Sequence, residues 1–127
     1  MTKRKILIVD DEKGFTAMLS LNLEATGEYE VKTENDSTHA LSAALQYRPD
    51  LILLDVIMPS MEGPDVAIAI RNNRSLTGTP IVFLTATVTK DEVESQGGRI
   101  GGNSFVAKPS NLETLLSSIE QNIDLGF

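Results

Sequence analysis

Residues 51–59 read Leu-Ile-Leu-Leu-Asp-Val-Ile-Met-Pro, and this stretch decides the fold. Four consecutive apolar residues predict a strand that is buried on both faces, as in a parallel sheet between two layers of helices. Asp55 follows these four residues directly, so the strand brings a carboxylate to its C-terminal end. Open parallel sheets bind their ligands at this edge, which makes Asp55 the first candidate for a functional residue.

Three other apolar runs also end in polar or charged residues. They are residues 5–9, which run into Asp10 and Asp11, residues 80–84, which run into Thr85, and residues 104–107, which run into Lys108. Because the carboxyl ends of parallel strands meet at one edge of a sheet, we expect three carboxylates, a hydroxyl and an ammonium group to converge there.

Segments with helical spacing lie between the predicted strands, and this alternation predicts an α/β fold. Right-handed crossovers place helices on both faces, so we expect a doubly wound, five-stranded parallel sheet with five helices. Residues 29–33 alternate in polarity, which is typical of an edge strand. Capping patterns at residues 89–92 and 110–113 predict the starts of the fourth and fifth helices. The first helix is expected to bury a face made of Phe15, Met18, Leu19 and Leu23.

The chain has 127 residues, a formal net charge of -7 and no cysteine. We assign residues 1–127 to one domain, since this length is sufficient to bury a single core. The lack of cysteine excludes disulfides and thiolate metal sites, and the acidic charge argues against direct binding to nucleic acid. No apolar run has the length of a membrane span or a signal peptide, so we expect a cytoplasmic protein with no membrane partner.

Neighbouring acids at the strand ends indicate a site for a cation. Asp10, Asp11 and Asp55 repel one another unless a cation neutralises them. Oxygen ligands without cysteine or histidine select a hard cation, and Mg²⁺ fits best because it retains water molecules that a phosphate can replace. The hydroxyl of Thr85 and the ammonium of Lys108 suit phosphoryl oxygens. The pattern therefore predicts a phosphoryl group beside Mg²⁺, with an aspartate as the nucleophile.

Each of these residues has a simpler role when it is considered alone. Asp10 and Asp11 can cap the first helix, Asp55 can form a turn, Thr85 can simply end a strand, and Lys108 can lie in a solvated turn. The joint pattern is more specific than any member, because four strands supply complementary groups at one edge.

With these motifs in this order, the chain resembles the receiver domain of two-component response regulators over essentially its whole length. The resemblance implies a flavodoxin-like sheet with strand order 2-1-3-4-5. It rests on residues 8–12 (Ile-Val-Asp-Asp-Glu), residues 54–59 (Leu-Asp-Val-Ile-Met-Pro) with Gly63, residues 84–86 (Leu-Thr-Ala) and residues 105–109 (Phe-Val-Ala-Lys-Pro).

The resemblance also implies the chemistry of a phosphorylation-dependent switch rather than that of an enzyme. Asp55 would accept a phosphoryl group from a phosphohistidine on a sensor histidine kinase or phosphotransfer protein. Mg²⁺ would be bound by Asp11, Asp55 and the backbone carbonyl of Ile57, with Asp10 acting through water. Lys108 would pair first with Asp55 and then with the phosphoryl oxygens.

Phosphorylation would then change a surface that a partner recognises. The resemblance implies that Thr85 moves toward the phosphoryl group and that Phe105 turns inward with it. The signalling surface would comprise the fourth predicted helix, the fifth predicted strand and the last helix, and would control a downstream target protein or output domain. A homodimer through this surface is one possible arrangement. The chain would be either a stand-alone receiver or a domain of a longer regulator or hybrid kinase.

One segment departs from the family pattern. Residues 96–103 contain four glycines, each of which costs about 1 kcal/mol relative to alanine in a helix interior. We therefore expect a short fourth helix and a mobile loop over residues 97–102.

Three alternatives remain open at this point. A Mg²⁺-dependent phosphatase of the haloacid-dehalogenase type would place a second acid two residues after the nucleophile, where this chain has Ile57. A flavodoxin-like FMN binder would need a phosphate loop where Asp10 and Asp11 stand. A receiver-like interaction module that is never phosphorylated is the third alternative, and the glycine-rich segment keeps it open.

Overall fold

The computed structural model describes residues 3–85, 99–100, 103–107 and 112–125. Within them, one sheet has the strand order β2-β1-β3-β4-β6-β5. Its strands are β1 (Arg4–Val9), β2 (Tyr29–Glu34), β3 (Leu51–Asp55), β4 (Ile81–Thr85), β5 (Arg99–Ile100) and β6 (Asn103–Ala107).

Five of these strands are parallel, which confirms the predicted sheet and its order. β1 pairs with β2 and β3, β3 pairs with β4, and β4 pairs with β6, all in parallel. The predicted fifth strand is therefore β6. The two-residue strand β5, which was not expected from the sequence, pairs antiparallel with β6 at the edge.

Four α-helices are present among the described residues. They are α1 (Lys13–Glu24), α2 (Ala40–Tyr47), α3 (Gly63–Arg71) and α4 (Leu112–Leu125). A 3-10 turn (Ser37–His39) precedes α2, and Pro64 lies in the first turn of α3, where its missing N–H costs nothing. The last predicted helix corresponds to α4. The predicted fourth helix, the glycine-rich loop and the capping box at residues 110–113 lie wholly or partly outside the described residues.

The core lies on both faces of the sheet, because successive residues of a strand point to opposite sides. On one side, α1 and α4 cover strand residues that include Ile8, Leu53 and Leu84. On the other side, α2 and α3 cover strand residues that include Leu7 and Leu54. β3 and β4 are buried along their whole length, so both strands end inside the protein at the edge where the predicted site lies.

The buried face of α1 differs from the expected one at a single position. Leu19 and Leu23 are buried and Phe15 packs partly against them, but Met18 is 53% exposed. The expectation for Met18 was therefore wrong. Thr16 lies inward instead, and its hydroxyl is satisfied there because it donates to the Lys13 carbonyl at 3.1 Å.

Among the described residues, no helix has both the length and the apolar composition that are needed to cross a bilayer.

Candidate functional site

Three carboxylates meet at the C-terminal edge of the sheet. Asp55 is the last residue of β3, and Asp10 and Asp11 directly follow β1. Carboxylate oxygens of the three residues lie within 4.8 Å of one another. Asp10 and Asp55 are buried and Asp11 is exposed, so the cluster has a closed interior side and an open side toward solvent. We call these three residues the acidic cluster.

The register of the two central strands explains why the acids meet. Val9 of β1 pairs with Leu54 of β3. The next residue of each strand is an aspartate, so Asp10 and Asp55 stand at the same level of the sheet. The N–H of Glu12 donates to Asp10 Oδ1 at 3.0 Å, which turns the chain sharply after β1 and leaves Asp11 on the open side.

The loop that follows Asp55 is folded back tightly against the end of its own strand. The N–H of Gly63 donates to the Val56 carbonyl at 2.8 Å. A Cβ on Gly63 would lie 2.2 Å from the Asp55 carbonyl oxygen and 2.9 Å from the Val56 Cα. Only glycine fits this approach, and the start of α3 is thereby placed directly against the backbone of Asp55. Ser60, at the tip of the loop, adopts a left-handed conformation with φ 70°.

Residues between β2 and α2 form hydrogen bonds with the two loops that carry the acidic cluster, the one after β1 and the one after β3. The Nδ2 group of Asn35 donates to the Asp10 carbonyl at 2.8 Å and to Thr16 Oγ1 at 3.0 Å. The buried hydroxyl of Ser37 donates to the Pro59 carbonyl at 3.1 Å, in the loop after Asp55. The sequence analysis did not identify Asn35 or Ser37 as part of the site, because both contacts are long-range and depend on how the segment after β2 packs.

Asp36 lies between these two residues and has a different role. The hydroxyl and the N–H of Thr38 both donate to its Oδ1 atom, at 2.6 and 2.9 Å. The hydrogen bond from the hydroxyl, which is the largest effect, and that from the N–H lower the pKa of Asp36. Asp36 therefore caps, as an ionised group, the 3-10 turn that precedes α2.

The other predicted site residues are placed as follows. Thr85 is the last residue of β4 and is 1% exposed, and it pairs with Ala107, directly before Lys108. Lys108 itself lies outside the described residues. Ile57 is 56% exposed, two residues after Asp55. Phe105 is half-buried, and its ring stacks on Phe83 with the centroids 5.1 Å apart.

The donor atoms of the acidic cluster match the preference of a hard divalent cation. All three side chains offer carboxylate oxygens, and the chain contains no cysteine that would favour a softer metal. Negative charges this close repel strongly where solvent is excluded, and a cation on the open side near Asp11 would relieve the repulsion. The residues present thus fit Mg²⁺, which binds to one or two carboxylates and keeps several waters.

Comparison with known proteins agrees with this geometry. Residues 6–120 match the family model of the response regulator receiver domain. The structure is similar to the chemotaxis protein CheY4 of Vibrio cholerae, with a TM-score of 0.80 and 35% identity over 95% of this chain and 99% of that one. It is also similar to a response regulator from Chloroflexus aurantiacus, with a TM-score of 0.82, 28% identity and coverage of 97% and 99%.

Two curated relatives are longer proteins. A probable transcriptional regulatory protein of Mycobacterium tuberculosis, TcrX, is 37% identical over 87% of this chain and 46% of its own length. The alkaline phosphatase synthesis regulator PhoP of Bacillus subtilis is 39% identical over 84% of this chain and 42% of its own length. The chain thus spans about half the length of these relatives.

The chain belongs to the response regulator receiver domain family. Its class is that of the phosphorylation-dependent signalling domains of two-component systems, whose members interact with sensor kinases and output domains.

Proposed function

We propose that this domain accepts a phosphoryl group on Asp55 in the presence of Mg²⁺ and uses the phosphorylated form to control a partner. The observation that carries the proposal is the acidic cluster, in which a buried strand-end aspartate lies within 4.8 Å of two further carboxylates. A buried aspartate that only formed a turn would have no need of two negative neighbours, which raise the free energy of its charged form.

The phosphoryl group comes from a phosphohistidine on a sensor histidine kinase or phosphotransfer protein. A carboxylate oxygen of Asp55 forms the new bond to phosphorus while the bond from phosphorus to the imidazole nitrogen breaks. The imidazole leaves with the electron pair of that bond and takes up a proton. The burial of Asp55 limits the access of water to the product, which is an acyl phosphate and hydrolyses readily.

Asp11 and Asp55 would hold Mg²⁺ together with the Ile57 carbonyl, and Asp10 would assist through water. When it is bound, Mg²⁺ neutralises charge that builds up on the phosphoryl oxygens. Lys108 and Thr85 donate to the same oxygens from the ends of the two neighbouring strands. Supporting this, β4 and β6 are in register at Thr85 and Ala107, so that their carboxyl ends stand at the same level.

Signalling follows because hydrogen-bond donors, among them Thr85, move to bond the phosphoryl oxygens. Thr85 moves toward the new oxygens, and Phe105 turns inward into the space that this movement opens. The changed surface includes β6, α4 and the segment before β5, and it binds a downstream target protein or an output domain. This proposal includes a cytoplasmic location and a single domain over residues 1–127.

Intact-protein mass spectrometry tests the proposal directly. The wild type and Asp55→Asn are incubated with Mg²⁺ and either acetyl phosphate or a phosphorylated phosphotransfer protein. We expect a single phosphoryl adduct on the wild type and none on the variant, which keeps the size of the side chain and removes the nucleophile. EDTA should abolish the adduct. A wild type that stays unmodified with every donor would contradict the proposal and favour an interaction module that is not phosphorylated.

A further inference from the structure

We infer that Asn35 is a positioning residue of the acidic cluster, which sets the affinity for the divalent cation through the Asp10–Asp11 peptide. The inference rests on the proposed function, because it assigns to Asn35 a part in building the same Mg²⁺ site. Asn35 itself contacts neither Asp11 nor Asp55 by any described hydrogen bond; it acts through the backbone of Asp10.

Asn35 continues the hydrogen bonding of the sheet beyond the end of β2. The last bond between these strands joins the Asp10 N–H to the Glu34 carbonyl at 3.1 Å. In a parallel ladder, the Asp10 carbonyl would next accept from a backbone N–H of the neighbouring strand. β2 ends at Glu34, and the side-chain amide of Asn35 supplies that donor instead, at 2.8 Å.

This bond fixes the orientation of Asp11. The Asp10 carbonyl and the Asp11 N–H belong to one planar peptide unit, so holding the carbonyl oxygen also holds the direction in which the chain enters Asp11. Asp10 is now bonded at three atoms, since its N–H, its carbonyl and its Oδ1 have the partners Glu34, Asn35 and Glu12. Asp11 is exposed and follows directly, so its carboxylate is placed by this backbone rather than by burial.

The second hydrogen of the Asn35 amide anchors it to α1. Thr16 Oγ1 accepts that hydrogen at 3.0 Å and in turn donates to the Lys13 carbonyl. Thr16 is 2% exposed, so the anchor lies in the interior. Both hydrogens of the amide are thereby used, and the side chain has one defined orientation against the Asp10 carbonyl.

The test measures the Mg²⁺ affinity of the unphosphorylated domain, at a temperature where every variant is folded. Asn35→Ala removes both donors, and Asn35→Leu removes them while keeping the volume, in case the alanine variant does not fold. We expect the Kd for Mg²⁺, followed by the amide NMR signals of Asp10 and Asp11, to rise about 10-fold, as is typical when a group that orients metal ligands is lost. The initial rate of phosphorylation by acetyl phosphate should recover at saturating Mg²⁺.

Asn122→Ala is the matched control that separates positioning from stability. Asn122 also has two hydrogen bonds, one accepted from the Ser104 hydroxyl and one donated to the Ser118 carbonyl, but it lies in α4. Its substitution should lower the melting temperature by an amount comparable to Asn35→Ala and leave the Kd for Mg²⁺ within about twofold of the wild type. Thr16→Val removes the anchor of Asn35 but leaves the bond to the Asp10 carbonyl available, so its Kd for Mg²⁺ should lie between those of the wild type and Asn35→Ala.

The outcomes distinguish this inference from the proposed function. If the wild type binds Mg²⁺ and is phosphorylated, but the Asn35 variants keep the wild-type Kd or shift it no more than Asn122→Ala does, the positioning role is wrong and the proposed function stands. If the wild type itself neither binds Mg²⁺ nor accepts a phosphoryl group, both are overturned. A selective rise in Kd for the Asn35 variants supports the inference.

Discussion

Gly63 determines how closely α3 approaches the candidate acceptor residue. Since a Cβ there would meet the Asp55 carbonyl oxygen at 2.2 Å, Gly63→Ala must push the start of α3 and the end of β3 apart. We expect the free energy of unfolding to fall by about 1–3 kcal/mol, the usual cost of overpacking. Phosphoryl acceptance should fall as well, because Asp55 moves with its backbone. Urea denaturation and the adduct assay described above measure the two effects.

Gly14 provides the matched control for this substitution. It lies exposed in the first turn of α1, and a Cβ built on it would meet no atom within 4 Å. Gly14→Ala should raise the free energy of unfolding by up to about 1 kcal/mol, because alanine restricts the unfolded chain and favours the helix. If Gly63→Ala and Gly14→Ala lowered the free energy of unfolding equally, the close contact at Gly63 would not be the cause of the destabilisation.

The sequence predicts the acidic cluster because Asp10 and Asp55 each directly follow a strong apolar run and Asp11 is the neighbour of Asp10. Strand ends can be recognised locally, and parallel pairing then brings Asp10 and Asp55 together without further information. Asn35 could not be found in this way. Its contact depends on where the weak strand β2 stops relative to β1, and that register is set by tertiary packing rather than by local pattern.

At the level of a single element, two substitutions in α1 test which face of the helix is buried. Leu23 is fully buried, and Leu23→Ala should lower the free energy of unfolding by about 2–5 kcal/mol through lost burial and the remaining cavity. Met18 is 53% exposed, and Met18→Ala should change it by no more than about 0.5 kcal/mol. Denaturant unfolding measures the free energy of unfolding of both variants. Similar decreases would show that Met18 is buried with Leu23, as the sequence predicts.

The error at Met18 has a simple physical origin. The sequence predicts a helix face from apolar spacing, and threonine is not counted as apolar. Thr16 is nevertheless buried because Lys13 and Asn35 satisfy its hydroxyl. β5 was missed for a related reason, because two residues between glycines carry no periodic signal and their pairing with β6 is a tertiary contact.

At the scale of the whole molecule, the two ends of the sheet carry different groups of polar side chains. The acidic cluster lies at the carboxyl ends of the strands, whereas Tyr47 precedes β3 and lies near the opposite ends. The Tyr47 hydroxyl donates to Glu30 Oε2 at 2.8 Å, and Lys5 Nζ lies 5.2 Å from the centre of its ring. Burial, and then the hydrogen bond to Glu30 with its negative charge, raise the pKa of Tyr47.

This raised pKa predicts how the stability of the whole domain depends on alkaline pH. The unfolded chain loses the phenol proton near its ordinary pKa of about 10, while the folded state retains it. The stabilisation from Tyr47 is therefore complete below about pH 10 and is lost as the pH rises toward the pKa of the folded state. Tyr47→Phe should flatten the decline in stability above pH 10, as measured by urea unfolding at several pH values. It should leave phosphorylation of Asp55 unchanged, and a parallel decline in wild type and variant would contradict the assignment.

The polar character of β2 has a consequence for the behaviour of the protein at high concentration. Among the described strands, β2 stands at one end of the sheet, and its Glu30 and Lys32 are exposed while Glu34 is half-buried. A strand from a second molecule that joined this edge would have to accommodate three charged side chains in alternate positions. Charged side chains on an edge strand disfavour edge-to-edge pairing of sheets from different molecules. The charges on β2 therefore oppose amyloid-like growth at this edge of the sheet, which ends next to Asn35.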